Sequence, residues 1–226
     1  MSPLSRLAGL AYEDQDPIFL EEMRKAKYTY DLETAALALS EWTGRGHEEM
    51  RAHGLRVIAD CVRAEFKDAR DAIEWLISKD RRLGVWCACV CIREVVSFFP
   101  KDDKRPLIAL ETTEAWVRGK TTNSKVREAS RNANNCFYDL LPGRWRGTAL
   151  SALAVAKASD AAKAANTNNA SFAARASVER VAEISGVNEK SLETWGYLLK
   201  KELRHLVEVM ADGIMTFPQK RAKNSR

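Results

Sequence analysis

The sequence predicts an all-α fold, a single compact multi-helix bundle of about eight or nine helices. Three observations predict it. Apolar residues recur at offsets of three and four through most of the chain; no stretch of useful length alternates with a strand's period of two; and Gly, Pro, Asn and Asp interrupt the helical runs where helix ends are needed. At 226 residues, 46% hydrophobic and 30% charged, the chain can bury a sizeable core without disulfide or metal staples.

The first two elements are short. Asp16-Pro17 precedes a run to Tyr30 in which Leu20, Met23 and Lys27 share a face, and Asp31 caps a second run through Leu32, Ala35, Ala36, Leu39 and Trp42 that ends at Gly44. From His47 to Ser78 the pattern stays helical, with Val57, Ile58, Cys61, Val62, Phe66, Ala69, Ile73 and Leu76 forming the apolar side. Gly54 is the place expected to interrupt it, since glycine costs about 1 kcal/mol against alanine in a helix interior. The turn Lys79-Asp80-Arg81-Arg82 divides the chain into an N-terminal helical layer, residues 1–80, a helical core, 81–218, and a basic tail, 219–226.

Gly84 to Phe99 is apolar almost all round, which predicts a helix at the centre of the bundle. Pro106 then opens a helix near Arg105, placing Ala109, Leu110, Thr113, Trp116 and Val117 on one side and Glu111, Glu114 and Arg118 on the other, with Gly119 as its stop. From Asn123 to Leu141, Val126, Ala129, Ala133, Phe137 and Leu140 face inward, and Pro142-Gly143 ends the run. Alanine spaced at three and four predicts narrow, closely packing helices over Thr148–Ala165 and Ala170–Ser185, separated by Asn166-Thr167-Asn168-Asn169. Asn188 caps a last helix whose stripe, Leu192, Trp195, Leu199, Leu203, Leu206, Met210 and Ile214, runs toward Pro218.

Asp103-x-Arg105-Pro106, Ala109-x-Glu111 and Ala115-Trp116-x-x-Gly119 follow a Cys-bearing apolar helix and precede alanine-rich ones. In this the chain resembles, from about Gly84 to Ala182, the immunity proteins of bacterial polymorphic-toxin systems; it departs from them in carrying Asn, Ser and Lys where they are more plainly alanine-rich. The resemblance implies a non-enzymatic protein that binds a protein toxin and neutralises it by occupying its surface or site. The residues alone leave a second reading open: a small-ligand module that sequesters an anionic molecule such as a nucleotide, as a phage or defence-related protein would.

Signals for chemistry are sparse. Arg118-Gly119-Lys120-Thr121 imitates the end of a phosphate-binding loop, but position 114 is Glu where the motif needs Gly, and a helix rather than a strand precedes it. His47-Glu48 lacks a second histidine four residues on, where Arg51 stands. Cys87 and Cys91 lie one turn apart and Cys89 points away, a pattern better suited to small buried hydrophobes than to a ligand set. No catalytic constellation, metal site or cofactor is therefore expected, and the chain is read as not an enzyme.

The net charge of +5 comes from 36 Lys and Arg against 31 Asp and Glu, and its placement matters more than its size. The candidate ligand-binding residues are Lys120, Arg127, Arg131, Asn135, Tyr138, Arg144, Trp145 and Arg146. Guanidinium groups grip phosphate or carboxylate bidentately, and Tyr or Trp beside them stacks on a ring. A charge run on a helix is usually a plain solvated face. The excess is too small, and reading motifs too few, to favour double-stranded nucleic acid. An odd five cysteines, no basic-apolar leader and no window near eighteen apolar residues point to a cytoplasmic protein without a membrane span. Homo-oligomerisation stays open.

Overall fold

The computed structural model describes residues 47–141, 146–186 and 192–218, and among them the chain forms eight α-helices and no strand. The helices are α1 (His47–Glu65), α2 (Ala69–Lys79), α3 (Arg81–Arg93), α4 (Arg105–Val117), α5 (Asn123–Leu140), α6 (Arg146–Lys163), α7 (Thr167–Gly186) and α8 (Leu192–Met215), with a 3-10 turn at Val96–Phe98. The expected pair of short helices before His47, the Pro142-Gly143 stop, the Asn188 cap and the basic tail lie outside the described residues.

Three element boundaries differ from those the periodicity suggests, and two of them follow from capping. The run from His47 to Ser78 is two helices, not one, and α1 passes straight through Gly54. The break falls before Asp68, whose extended backbone and side chain, accepting from the Arg70 N–H at 2.8 Å, start α2 afresh. Likewise α3 begins at Arg81 rather than Gly84, because Asp80 accepts from the N–H groups of Arg82 (2.7 Å) and Leu83 (3.3 Å). Asp80 thus serves as the C-cap of one helix and the N-cap of the next. At its other end α3 stops at Arg93, and Val96–Phe98 forms only a single tight turn.

The expectation of a buried central helix holds. α3 packs against α2, α4, α6, α7 and α8, and Leu83, Val85, Cys87, Ala88, Cys89, Cys91 and Ile92 are wholly buried on it. Two contacts are especially close. A Cβ on Gly84 would lie 2.6 Å from the Ile77 side chain and 2.9 Å from the Ile77 backbone nitrogen, so only glycine lets α2 turn back so tightly on α3. Opposite it, the Trp86 indole N–H donates to the Gly213 carbonyl of α8 at 2.9 Å.

Around this centre the remaining helices are tied to one another by ion pairs. Arg63 of α1 reaches Glu208 and Asp212 of α8, Arg70 of α2 reaches Glu179 of α7, and Arg105 of α4 reaches Asp139 of α5. These are partly exposed pairs that fix register more than they add stability, each worth about 0–1 kcal/mol. Small residues do more: Ala154, Ala158, Ala161 and Ala162 on α6 meet Ala170, Ala174 and Val178 on α7 in one continuous buried cluster that also includes Leu55, Val62, Ile73 and Leu76 from α1 and α2.

Candidate functional site

The segment that carries the sequence resemblance builds a corner of the fold. Asp103, just before the Lys104 N-cap of α4, accepts from the Arg105 N–H at 2.9 Å, while the Arg105 guanidinium bonds back to Asp103 and on to Asp139. Gly119 takes φ 68°, the left-handed conformation that ends α4, and Trp116 donates its indole N–H to Asn123 across the turn at 2.6 Å. Contrary to the helical-wheel reading, Glu114 is not on the solvent side. It is 7% exposed, with one carboxylate oxygen taken by Arg93 (2.9 Å) and the other by Arg118 (3.4 Å), and Arg118 in turn lies over the Trp86 ring.

The Arg105 guanidinium, with the Arg105 N–H, holds the Asp103 carboxyl down at about 2. A carboxylate depressed on folding contributes stability that is complete above its unfolded value, near pH 4, and is lost as pH falls toward about 2. Asp103→Asn is therefore expected to lower stability at neutral pH and to flatten the stability curve between pH 4 and 2, as read from urea midpoints across that range.

The candidate ligand-binding residues separate on the structure. Thr122 caps α5 by accepting from the Lys125 N–H, and the helix it starts sets Arg127, Arg131, Asn135 and Tyr138 along one exposed face. Lys120 lies on the other flank, lining a groove between α4 and α5 with Ile108, Glu111, Lys125 and Glu128, where both signs of charge alternate. Arg144 and Trp145 lie outside the described residues, as does the side chain of Arg146 at the start of α6.

Arg127 has neighbours that linear order did not offer. It lines an open depression of about 340 Å³ with Lys157, Asp160 and Lys163 of α6 and Asn169 and Phe172 of α7. Asp160 organises the cations: its carboxylate accepts from Lys163 at 2.8 Å and from the Ser130 hydroxyl at 2.6 Å, and lies 3.6 Å from Lys157. Lys163 also donates to the Ser130 oxygen at 3.2 Å. Arg127 has no ion-pair partner among the described residues, and Phe172 is 76% exposed beside it. Three positive groups and one negative thus lie beside an exposed aromatic ring, an arrangement suited to an anionic partner group. The signal that could have found it was Lys157-x-x-Asp160-x-x-Lys163, one turn apart within an otherwise alanine-rich helix.

The cysteines are placed for packing. All five are free and buried; burial pushes the Cys61 thiol up to about 11 and Cys136 up to about 12, and raises Cys87, Cys89 and Cys91 further. A thiol reagent at pH 8 is expected to leave the native protein largely unmodified and to titrate all five sulfurs in denaturant. Fast native labelling of any α3 cysteine would contradict this burial. Among the described residues, no group of three or more His, Cys, Asp or Glu could hold a metal ion, and no helix is long and apolar enough to cross a membrane. The Lys120-Thr121 pair stands between two helices, without the strand a phosphate-binding loop requires.

Comparison with protein-family models, with curated proteins and with solved structures finds no match to this chain.

Proposed function

We propose that this chain is a non-enzymatic binding protein, immunity-like in action, that neutralises a partner protein by docking the basic face of α5, α6 and α7 on an acidic part of its surface. The observation that carries this reading is the exposed Phe172 ring beside Arg127, Lys157 and Lys163, cations drawn from two different helices. An exposed aromatic among cations is the composition of an interface anchor, where aromatic residues and Arg supply most of the binding energy. Arg131 and Tyr138 extend the same face along α5, with Tyr138 59% exposed. The surrounding cations steer an acidic partner and speed its capture. The resemblance of the Asp103–Gly119 segment to immunity proteins supports the same reading, and a cytoplasmic location accords with it.

The test is binding of the full chain to the protein encoded beside it, measured by calorimetry, together with rescue of growth when that protein is toxic. Arg127→Glu and Phe172→Ala are each expected to weaken binding at least tenfold, about 1.4 kcal/mol, without loss of helicity. Unchanged affinity in both variants would move the interface elsewhere; catalytic turnover by the purified chain would overturn the reading altogether.

A further inference from the structure

The depression between α5, α6 and α7 has a charge count of its own. Arg127, Lys157 and Lys163 supply three positive charges and Asp160 one negative, leaving an excess of two in a space of about 340 Å³, at the small end of ligand-sized cavities. The anchoring is uneven. Lys163 is fixed by both Asp160 and Ser130, Lys157 stands farther from the carboxylate at 3.6 Å, and Arg127 pairs with nothing among the described residues. Arg127 and Lys157 are therefore less tightly held than Lys163 and better placed to turn to a ligand. The first turn of α7 adds little, because the Asn169 N–H is already taken by the Asn166 side chain at 2.8 Å. Phe172 lines the same depression and is 76% exposed, so its ring is open to a ligand.

We propose that this depression is a binding site for a ring-bearing phosphate, with the phosphate dianion held by Arg127 and Lys157 and the attached ring stacked on Phe172. A guanidinium takes two phosphate oxygens at once, an ammonium takes the third as a point charge, and an exposed phenyl face stacks on a heteroaromatic or aromatic ring. Asp160 keeps Lys163 oriented and rejects a ligand whose charge lies too deep. A lone carboxylate would leave one positive charge unmatched, whereas the dianion balances the excess of two. The shared chemistry has two sources, a nucleoside monophosphate and a phosphorylated tyrosine side chain. This site lies on the face assigned to partner docking, but it stands on its own geometry, and a small-molecule titration succeeds or fails independently of any protein partner.

The experiment titrates adenosine monophosphate, phenyl phosphate, inorganic phosphate and adenosine into the full chain, read by calorimetry and by amide shifts. Both ring-bearing phosphates are expected to bind saturably and at least tenfold more tightly than inorganic phosphate or adenosine. The tighter of the two identifies the source. Arg127→Gln and Phe172→Ala, both at exposed positions where folding is unaffected, are each expected to weaken that binding five- to tenfold, while Lys101→Gln, exposed in the turn before α4 and outside the depression, leaves it unchanged. The proposal is overturned if neither ring-bearing phosphate binds, if inorganic phosphate binds as tightly as they do, or if the two site variants bind like the wild type.

Discussion

Trp86→Ala is expected to cost about 3–5 kcal/mol of folding stability, the usual loss for emptying a large buried aromatic site. The indole sits in α3, where five neighbouring helices leave no room for the core to collapse into the space, so the cavity term adds to the lost transfer energy. Trp86→Phe separates bulk from hydrogen bonding. The Gly213 carbonyl that the indole N–H meets also accepts from the backbone N–H and hydroxyl of Thr216, at 3.1 and 2.9 Å, so it is not orphaned when the indole goes. The phenylalanine variant should therefore lose only about 1 kcal/mol beyond its smaller volume. Urea unfolding at constant m-value checks both; a cost under about 1 kcal/mol for Trp86→Ala would mean that α3 is not the centre of the bundle.

Glu114→Ala is expected to cost about 2–3 kcal/mol, less than the about 3–5 kcal/mol typical of breaking a fully buried ion pair. The reason is asymmetry. Glu114 is buried, but the two guanidiniums it joins, on Arg93 and Arg118, are 42% and 34% exposed and rehydrate when it is removed. Glu114→Gln keeps an acceptor for one of them and should lose about half as much. Glu183 provides the control: it is similarly buried and pairs with Arg180, yet its Oε2 has no hydrogen-bond partner, so part of its desolvation is uncompensated and Glu183→Ala should cost distinctly less. Equal losses at the two positions would show that the double guanidinium contact contributes nothing. Thermal unfolding gives the readout, at about 2–4 °C per kcal/mol for a chain of this size.

The fold was legible where side-chain periodicity decides it. The all-round apolar run around Cys87, Cys89 and Cys91 marked the central helix, and the stripe through Leu203, Leu206, Met210 and Ile214 marked the last one, because burial on a helix imposes its spacing on the sequence. Helix ends were legible where glycine stops a helix, as at Gly119, and not where an aspartate starts one inside a charged stretch, as at Asp68 and Asp80. There the capping carboxylate looks like any other surface charge until its backbone is seen. Glu114 was misplaced for a related reason: a wheel treats charge as solvent-facing and cannot foresee two arginines closing over it from different elements.

Of the candidate site, only Arg127 was legible in the place it occupies. Its partners Lys157, Lys163 and Phe172 belong to helices thirty or more positions later, and sequence order gives no means of setting one helix face against another. The stripe of Arg131, Asn135 and Tyr138 is exposed as a helical spacing requires, whereas Lys120 turned out to flank a separate groove.

The single residue that joins α2 to α3 limits how this chain can be handled. A protein cut after Asp80 and expressed from Arg81 would strip the carboxylate from two backbone N–H groups and remove Ile77 from the notch at Gly84. Split-reporter fusions, domain swaps and truncations placed there are thus poor choices, despite the inviting run of charge. An insertion is better tried at the α4–α5 turn around Lys120, where the chain already reverses in solvent.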